Sequence, residues 1–132
     1  ENITLKSNNK LLKKVVNLIN GSKKIVIIVG AGIKYNSKFK KVTRLAEYLN
    51  VPIVTAAGHG DAVPFDHKLH AGQMGPRGNP VASKLVKEAD IIIALGTRPG
   101  FNSTFYSYEN INKKAKIIQV ELEKKMIGKL II

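Results

Sequence analysis

A chain of 132 residues, 44% of them hydrophobic, has the length of one globular domain able to bury a core. It shows no run near the ~20 apolar residues that cross a bilayer, no basic-then-apolar leader and no cysteine, so we expect no membrane, secretion or thiolate chemistry and place it in the cytoplasm. The net charge of +13 comes from 22 basic residues, of which only Arg44, Arg77 and Arg98 are arginine; with 6% aromatics no specific nucleic-acid surface is expected, although polyanions are favoured nonspecifically.

Residues 1–6 read as a leading tail. Ser7 is placed to cap a helix over 7–20, with Leu11, Leu12, Val15, Val16, Leu18 and Ile19 as an apolar stripe at helical spacing. That stripe reads as core or subunit contact. Lys24-Ile25-Val26-Ile27-Ile28-Val29 is an almost unbroken apolar run, the signature of a central strand in a parallel sheet. It ends in Gly30-Ala31-Gly32, where the backbone can turn sharply. Ser37 is expected to cap a second helix to about Leu49, burying Phe39, Val42, Leu45, Ala46 and Leu49. Asn50-Val51-Pro52 then feeds a strand over 53–56. Strand, helix and strand within about 30 residues form a crossover unit.

Residues 57–80 are rich in glycine and proline, with one short extended piece over 69–72. A segment of this length in a small domain is usually functional or an interaction surface. Asn79 caps a third helix with Pro80 in its first position, running to Glu88. A strand over 90–95 follows, opened by Asp90, which reads as a local cap or pair, and closed by Gly96. Thr97 to Thr104 form a polar loop containing Arg98, and the last strand is expected over 116–122. The end, Leu130-Ile131-Ile132, is apolar, from which we expect a single domain over 1–132 excised from a longer enzyme.

The strands ending at Gly30 and Gly96 are expected side by side with their connections leaving in opposite directions. In open α/β sheets that crevice collects ligands. The groups around it would be the amides of Gly30, Ala31 and Gly32, the turn from Thr55 to Gly60, the segment from Gly72 to Gly78 and Arg98. A nucleotide diphosphate on the glycine amides is one reading; a tight turn that the fold retains is the other. Arg98 either meets a phosphate or ties two loops together. His67 and His70, with Asp61 and Asp66 nearby, have no helical or hairpin frame to converge them on a metal. Tyr106 and Tyr108 read as packing residues rather than as a flavin stack. No nucleophile, dyad or metal set is evident.

In their order and spacing, several motifs together resemble the central domain of the thiamine diphosphate-dependent, acetolactate synthase-like enzymes. They are Ile28-Val29-Gly30-Ala31-Gly32, Leu49-Asn50-Val51-Pro52-Ile53-Val54-Thr55, Gly60-Asp61-Ala62-Val63-Pro64-Phe65-Asp66-His67 and Gly72-Gln73-Met74-Gly75. Val86-Lys87-Glu88-Ala89-Asp90, Ala94-Leu95-Gly96-Thr97-Arg98, Ala115-Lys116-Ile117-Ile118-Gln119-Val120-Glu121 and Ile127-Gly128-Lys129 complete the series, which covers residues 7–129. The resemblance implies an α/β, Rossmann-like parallel sheet flanked by helices, set between two thiamine diphosphate-binding domains in a homo-oligomer. The first of those domains supplies a glutamate to the cofactor's aminopyrimidine, and the last holds the diphosphate through magnesium. The middle domain carries no essential chemistry, so the small-molecule substrate is turned over elsewhere. In acetolactate synthases it holds FAD, which implies Gly30, Ala31, Gly32, Thr55, Gly75, Gly96, Thr97 and Arg98 as cofactor-binding positions here.

Gly58-His59-Gly60-Asp61-Ala62-Val63-Pro64 and Gly96-Thr97-Arg98 followed by Phe101-Asn102-Ser103-Thr104 look most like the sulfoacetaldehyde acetyltransferase branch. The FAD-binding branch has Met-His-Gly where this chain has Pro76-Arg77-Gly78, and Phe-Asp-Asp where it has Pro99-Gly100-Phe101. Both departures put FAD in doubt. Two other classes are weaker. Val29-Gly30-Ala31-Gly32-Ile33 resembles the opening of a sirtuin deacylase, but the chain lacks cysteines for a zinc module and continues Lys34-Tyr35-Asn36-Ser37. A polyanion binder rests on the charge alone and would reveal itself by a steep salt dependence.

Overall fold

The computed structural model describes residues 9–35, 37–97 and 111–120. In chain order the elements are α1 (Asn9–Asn20), β1 (Ile25–Val29), α2 (Ala31–Tyr35), α3 (Phe39–Leu49), β2 (Ile53–Thr55), β3 (His70–Gln73), α4 (Pro80–Glu88), β4 (Ile91–Leu95) and β5 (Lys116–Val120). The strands make one parallel sheet in the order β3-β2-β1-β4-β5. This is the doubly wound, Rossmann-like arrangement that the apolar runs predicted.

The runs take the centre because they are apolar on both faces. Ile27 and Val29 join Val42 and Ala46 of α3, with Leu18 and Ile19 of α1 packed against them. Val26 and Ile28 point the other way, to Ala82 and Val86 of α4 and to Ile92. Alternation along each strand thus supplies two cores, one under α1 and α3 and one under α4. Register is even across the middle: Ile25 to Val29 lie opposite Ile91 to Leu95, and these opposite Lys116 to Val120. Among the described residues no helix is long and apolar enough to cross a membrane.

Several local expectations hold. Asn79 caps α4, its side-chain oxygen accepting from the Val81 amide at 2.8 Å, with Pro80 in the first helical position. Asn79→Ala is expected to cost about 1 kcal/mol of stability, the usual worth of such a cap, read as a lower denaturant midpoint at unchanged slope. Asp90 does pair, but not locally in sequence: its carboxylate accepts the Lys24 amide, at the start of the neighbouring β1, at 3.1 Å.

Others are corrected. Ser37 does not cap α3: it sits at φ 52, and Lys38 is the cap residue without a side-chain hydrogen bond. The chain instead closes a short helix, α2, immediately after the glycine turn, and Ser37 serves as the left-handed hinge between the two helices. The stripe on α1 is only partly used. Leu18 and Ile19 pack, whereas Leu11, Leu12 and Val16 are 57%, 48% and 52% exposed. The extended piece at 69–72 is a true edge strand, shifted by a residue to 70–73 and hydrogen-bonded to β2. Ser7, which was to cap α1, lies outside the described residues.

Candidate functional site

Because β1, β2 and β4 run parallel, their carboxyl ends share one edge of the sheet. Val29 lies opposite Thr55 on one side and Leu95 on the other. The sheet therefore brings Gly30, Ala31, Gly32, Thr55, Gly96 and Thr97 together as the sequence predicts. Gly75 lies on the turn beyond β3, at φ +112. Arg98, Tyr106 and Tyr108 lie outside the described residues.

The glycines at this edge are in contact with one another. The Gly30 amide donates to the Leu95 carbonyl at 3.2 Å and the Gly32 amide to the Gly96 carbonyl at 2.8 Å. A Cβ on Gly30 would stand 2.6 Å from the Thr97 Cβ, and one on Gly32 would stand 2.8 Å from the Gly96 Cα. Gly96 itself takes φ +57, where a side chain is strained, and its Cβ would stand 2.7 Å from the Ile33 nitrogen. The missing side chains make room for backbone. Two amides that could cradle a phosphate already have carbonyl partners, and Thr55 is fully buried, its hydroxyl facing the Gly72 carbonyl at 3.5 Å. Gly58 differs. It has φ +81, and a Cβ there would meet nothing within 4 Å.

The open space lies to one side of the crevice. A cleft of ≈ 620 Å³ runs under the loop after β2 and against β3, lined by Phe39, Asp61, Val63, Phe65, His70 and Gln73 among others. Phe65 is 91% exposed and meets the His70 ring edge-on at 6.3 Å. Asp61 pairs with Lys34 of α2 at 2.9 Å; the Lys34 ammonium holds its carboxyl below the usual range, and Asp61 in turn raises Lys34. Sequence reasoning put Phe39 in the buried stripe of a helix and Phe65 and Gln73 inside longer motifs, and read no cleft from them, since apolar and amide side chains signal a lining only once the loop is folded over them.

His67 and His70 are tied into the fold here. The His67 Nδ1 accepts the Leu69 amide at 3.2 Å, which leaves Nε2–H to donate to the Glu47 carboxylate at 2.8 Å. Burial pushes His70 below the ordinary histidine value of 6.5, opposed in part by the Pro64 and Phe65 carbonyls, and its Nε2 is buried without a partner. The folded state therefore prefers neutral His70, while the unfolded chain takes up a proton below about 6.5. Stability is expected to fall as pH drops from 6.5 toward 5, and His70→Gln should flatten that slope; an unchanged slope in denaturant titrations of the variant would refute this role. Among the described residues no three or more histidine and acidic side chains gather as a metal site.

The family whose model matches is described as the thiamine pyrophosphate enzyme, central domain, over residues 12–132. Sulfoacetaldehyde acetyltransferase of Roseovarius nubinhibens is 37% identical over 119 residues, covering 89% of this chain and 20% of that protein. The same-named enzyme of Castellaniella defragrans is 38% identical over 105 residues, 78% of this chain and 18% of that protein. A probable acetolactate synthase large subunit of Methanocaldococcus jannaschii is 32% identical over 118 residues, with 89% and 20% covered. The chain thus spans about a fifth of the length of these relatives. With the doubly wound sheet and a match over nearly its whole length, this chain belongs to the family of thiamine pyrophosphate enzyme central domains.

Proposed function

We propose that this chain is the noncatalytic middle domain of a thiamine diphosphate-dependent acyltransferase of the sulfoacetaldehyde acetyltransferase kind. It holds two cofactor-binding domains in position within a homo-oligomer, and the isolated piece has no activity. The observation that carries this reading is the closed carboxyl edge. Gly30, Gly32 and Gly96 lock the ends of β1 and β4 through backbone contact, so the crevice is a joint rather than a ligand cradle. When bound by the other domains with magnesium, thiamine diphosphate supplies the carbanion chemistry of the parent. The residues described here contribute rigidity to that arrangement.

A second reading has support in the open space at Gly58 and the neighbouring cleft. It makes this an FAD- or other nucleotide-binding domain of the acetolactate synthase kind, with the ligand reaching Gly30, Ala31, Gly32, Thr55, Gly75, Gly96, Thr97 and Arg98 from the loop side. The Gly30 and Gly32 amides fit a flavin diphosphate poorly because they already donate to carbonyls.

The test is the cofactor content of the full-length protein, purified without additions, denatured and separated by chromatography with mass detection. Thiamine diphosphate without FAD is the expected result. Both together would overturn the flavin-free reading in favour of the second. Neither, even after thiamine diphosphate and magnesium are supplied, would overturn the proposed parent activity.

A further inference from the structure

The loop between β2 and β3 is pinned at both ends and along its middle. The Ile53 amide donates to the Leu69 carbonyl at 2.8 Å, the Ala62 amide to the His59 carbonyl at 3.0 Å and the His70 amide to the His67 carbonyl at 2.9 Å. Ala62 and Val63 are buried in the core under α1 and α3. The cleft of ≈ 620 Å³ between this loop, the start of α3 and β3 is therefore a preformed space, of the size that small organic ligands occupy.

Its walls are mainly apolar and aromatic, with Phe39, Val63, Pro64 and Phe65 beside His70 and Gln73. Asp61, the carboxylate in this lining, is already matched by the Lys34 ammonium at 2.9 Å. A neutral guest leaves that pair intact. One polar atom of the wall is out of balance. His70 Nε2 is buried with no hydrogen-bond partner, and a buried polar group left in that state is costly and rare. A hydroxyl answers it in either ring tautomer, because it donates to a bare nitrogen and accepts from an N–H.

Phe65 is the part of the wall that can give way. It is 91% exposed and meets the His70 ring edge-on, with centroids 6.3 Å apart. Turning it outward gives up little contact and bares the His70 ring. A flat aromatic guest then has the rings of Phe39 and Phe65 to pack on, face or edge. Ring and hydroxyl together define the guest.

We propose that this cleft binds a neutral phenol, its ring packed on Phe39 and Phe65 and its hydroxyl hydrogen-bonded to His70 Nε2. The site is walled by α3, the loop and β3 rather than by the glycine turns after β1 and β4, so it does not rest on either reading of those turns.

The test is a titration of the full-length protein with 2-naphthol, followed by the emission of the probe, and saturable binding is expected. Naphthalene, which lacks the hydroxyl, should bind about fivefold more weakly, the worth of one hydrogen bond. His70→Phe keeps a flat ring and removes both nitrogens, so it should bind the two probes equally. Damage to the fold would instead weaken both. Phe65→Ala removes an exposed ring and should weaken both probes by roughly fivefold through lost ring packing. Tyr48→Ala, at the far end of α3 and 88% exposed, should leave both unchanged. No saturable binding by the unaltered protein, as when a neighbouring domain fills the cleft, would overturn the proposal. So would equal affinity for the two probes, or a hydroxyl preference that survives in His70→Phe. Displacement of 2-naphthol by FAD would overturn the phenol assignment in favour of a flavin, and indifference to FAD supports it.

Discussion

Gly96→Ala is expected to destabilise the domain by about 3 kcal/mol, and Gly32→Ala by about 2 kcal/mol. The left-handed conformation of Gly96, φ +57, costs an L-residue about 1–2 kcal/mol. The remainder is steric. The new methyl group would stand 2.7 Å from the Ile33 nitrogen and 2.9 Å from Gly32 backbone carbons, and backbone cannot swing aside as a flexible side chain can. In Gly32→Ala the methyl group meets the Gly96 Cα at 2.8 Å and its carbonyl oxygen at 3.0 Å. Relief requires the turn after β1 to withdraw from the turn after β4, stretching the 2.8 Å hydrogen bond between them. Both substitutions open the same contact, so the double variant should cost less than the sum, with a coupling of about 1 kcal/mol. Denaturant unfolding of the three variants measures all of this. The two functional readings differ here. A joint predicts large, coupled stability losses, whereas a ligand cradle predicts near-normal stability and lost FAD. Costs below about 0.5 kcal/mol for both single variants, within the usual scatter for neutral sites, would favour the cradle.

The position of the joint was legible in the sequence, but its construction was not. Two apolar runs ending in Gly30 and Gly96 sufficed to place both strands in the sheet centre, because only a doubly covered strand is apolar at every position. Asn79-Pro80 marked the start of α4 because the cap is a local event, decided by one side chain and the next amides. Ser37 misled for a related reason. A serine before an amphipathic stretch is a good cap only with extended backbone, and the short α2 leaves it at φ 52. Nothing in Ala31-Gly32-Ile33-Lys34-Tyr35 distinguishes one helical turn from an open glycine loop, so the sequence points to a turn at Gly30 to Gly32 and not to α2. β3, with His70 and Gly72 inside it, carries little strand signal of its own. Its pairing with β2 holds it there. The glycines themselves are ambiguous in sequence, since room for a ligand and room for another backbone call for the same absent side chain. The cleft beside His70 depends on how residues 57–69 fold over β3, a long-range arrangement that periodicity does not encode.

Ile92→Ala is expected to cost about 3–4 kcal/mol, in the middle of the range for a buried isoleucine. Ile92 is 0% exposed and lies at the middle of the core under α4, with Val26, Ile28, Val54, Met74 and Val86 in the same cluster. Its backbone is held on both sides, opposite Val26 of β1 and Ile117 of β5. The strands therefore cannot close over the vacated volume, and only α4 could shift inward. That would disturb Ala82 and Val86, which are also fully buried. Ile117 gives the contrast. It packs on the same cluster, partly buried and from the edge strand, so neighbouring side chains and water can fill its place and Ile117→Ala should cost about 1–2 kcal/mol. Ile92→Val, which removes one methyl group, should cost about 1 kcal/mol. Against a typical total of 5–15 kcal/mol for a domain, the Ile92→Ala loss alone would bring a marginal domain close to unfolding. A cost at Ile117 equal to that at Ile92 would show that the β5 edge is as tightly covered as the sheet centre. In that case the cofactor-binding domains proposed to flank this one become the natural source of the cover, and the stability of the joint at Gly30 and Gly96 would have to be measured in the whole enzyme.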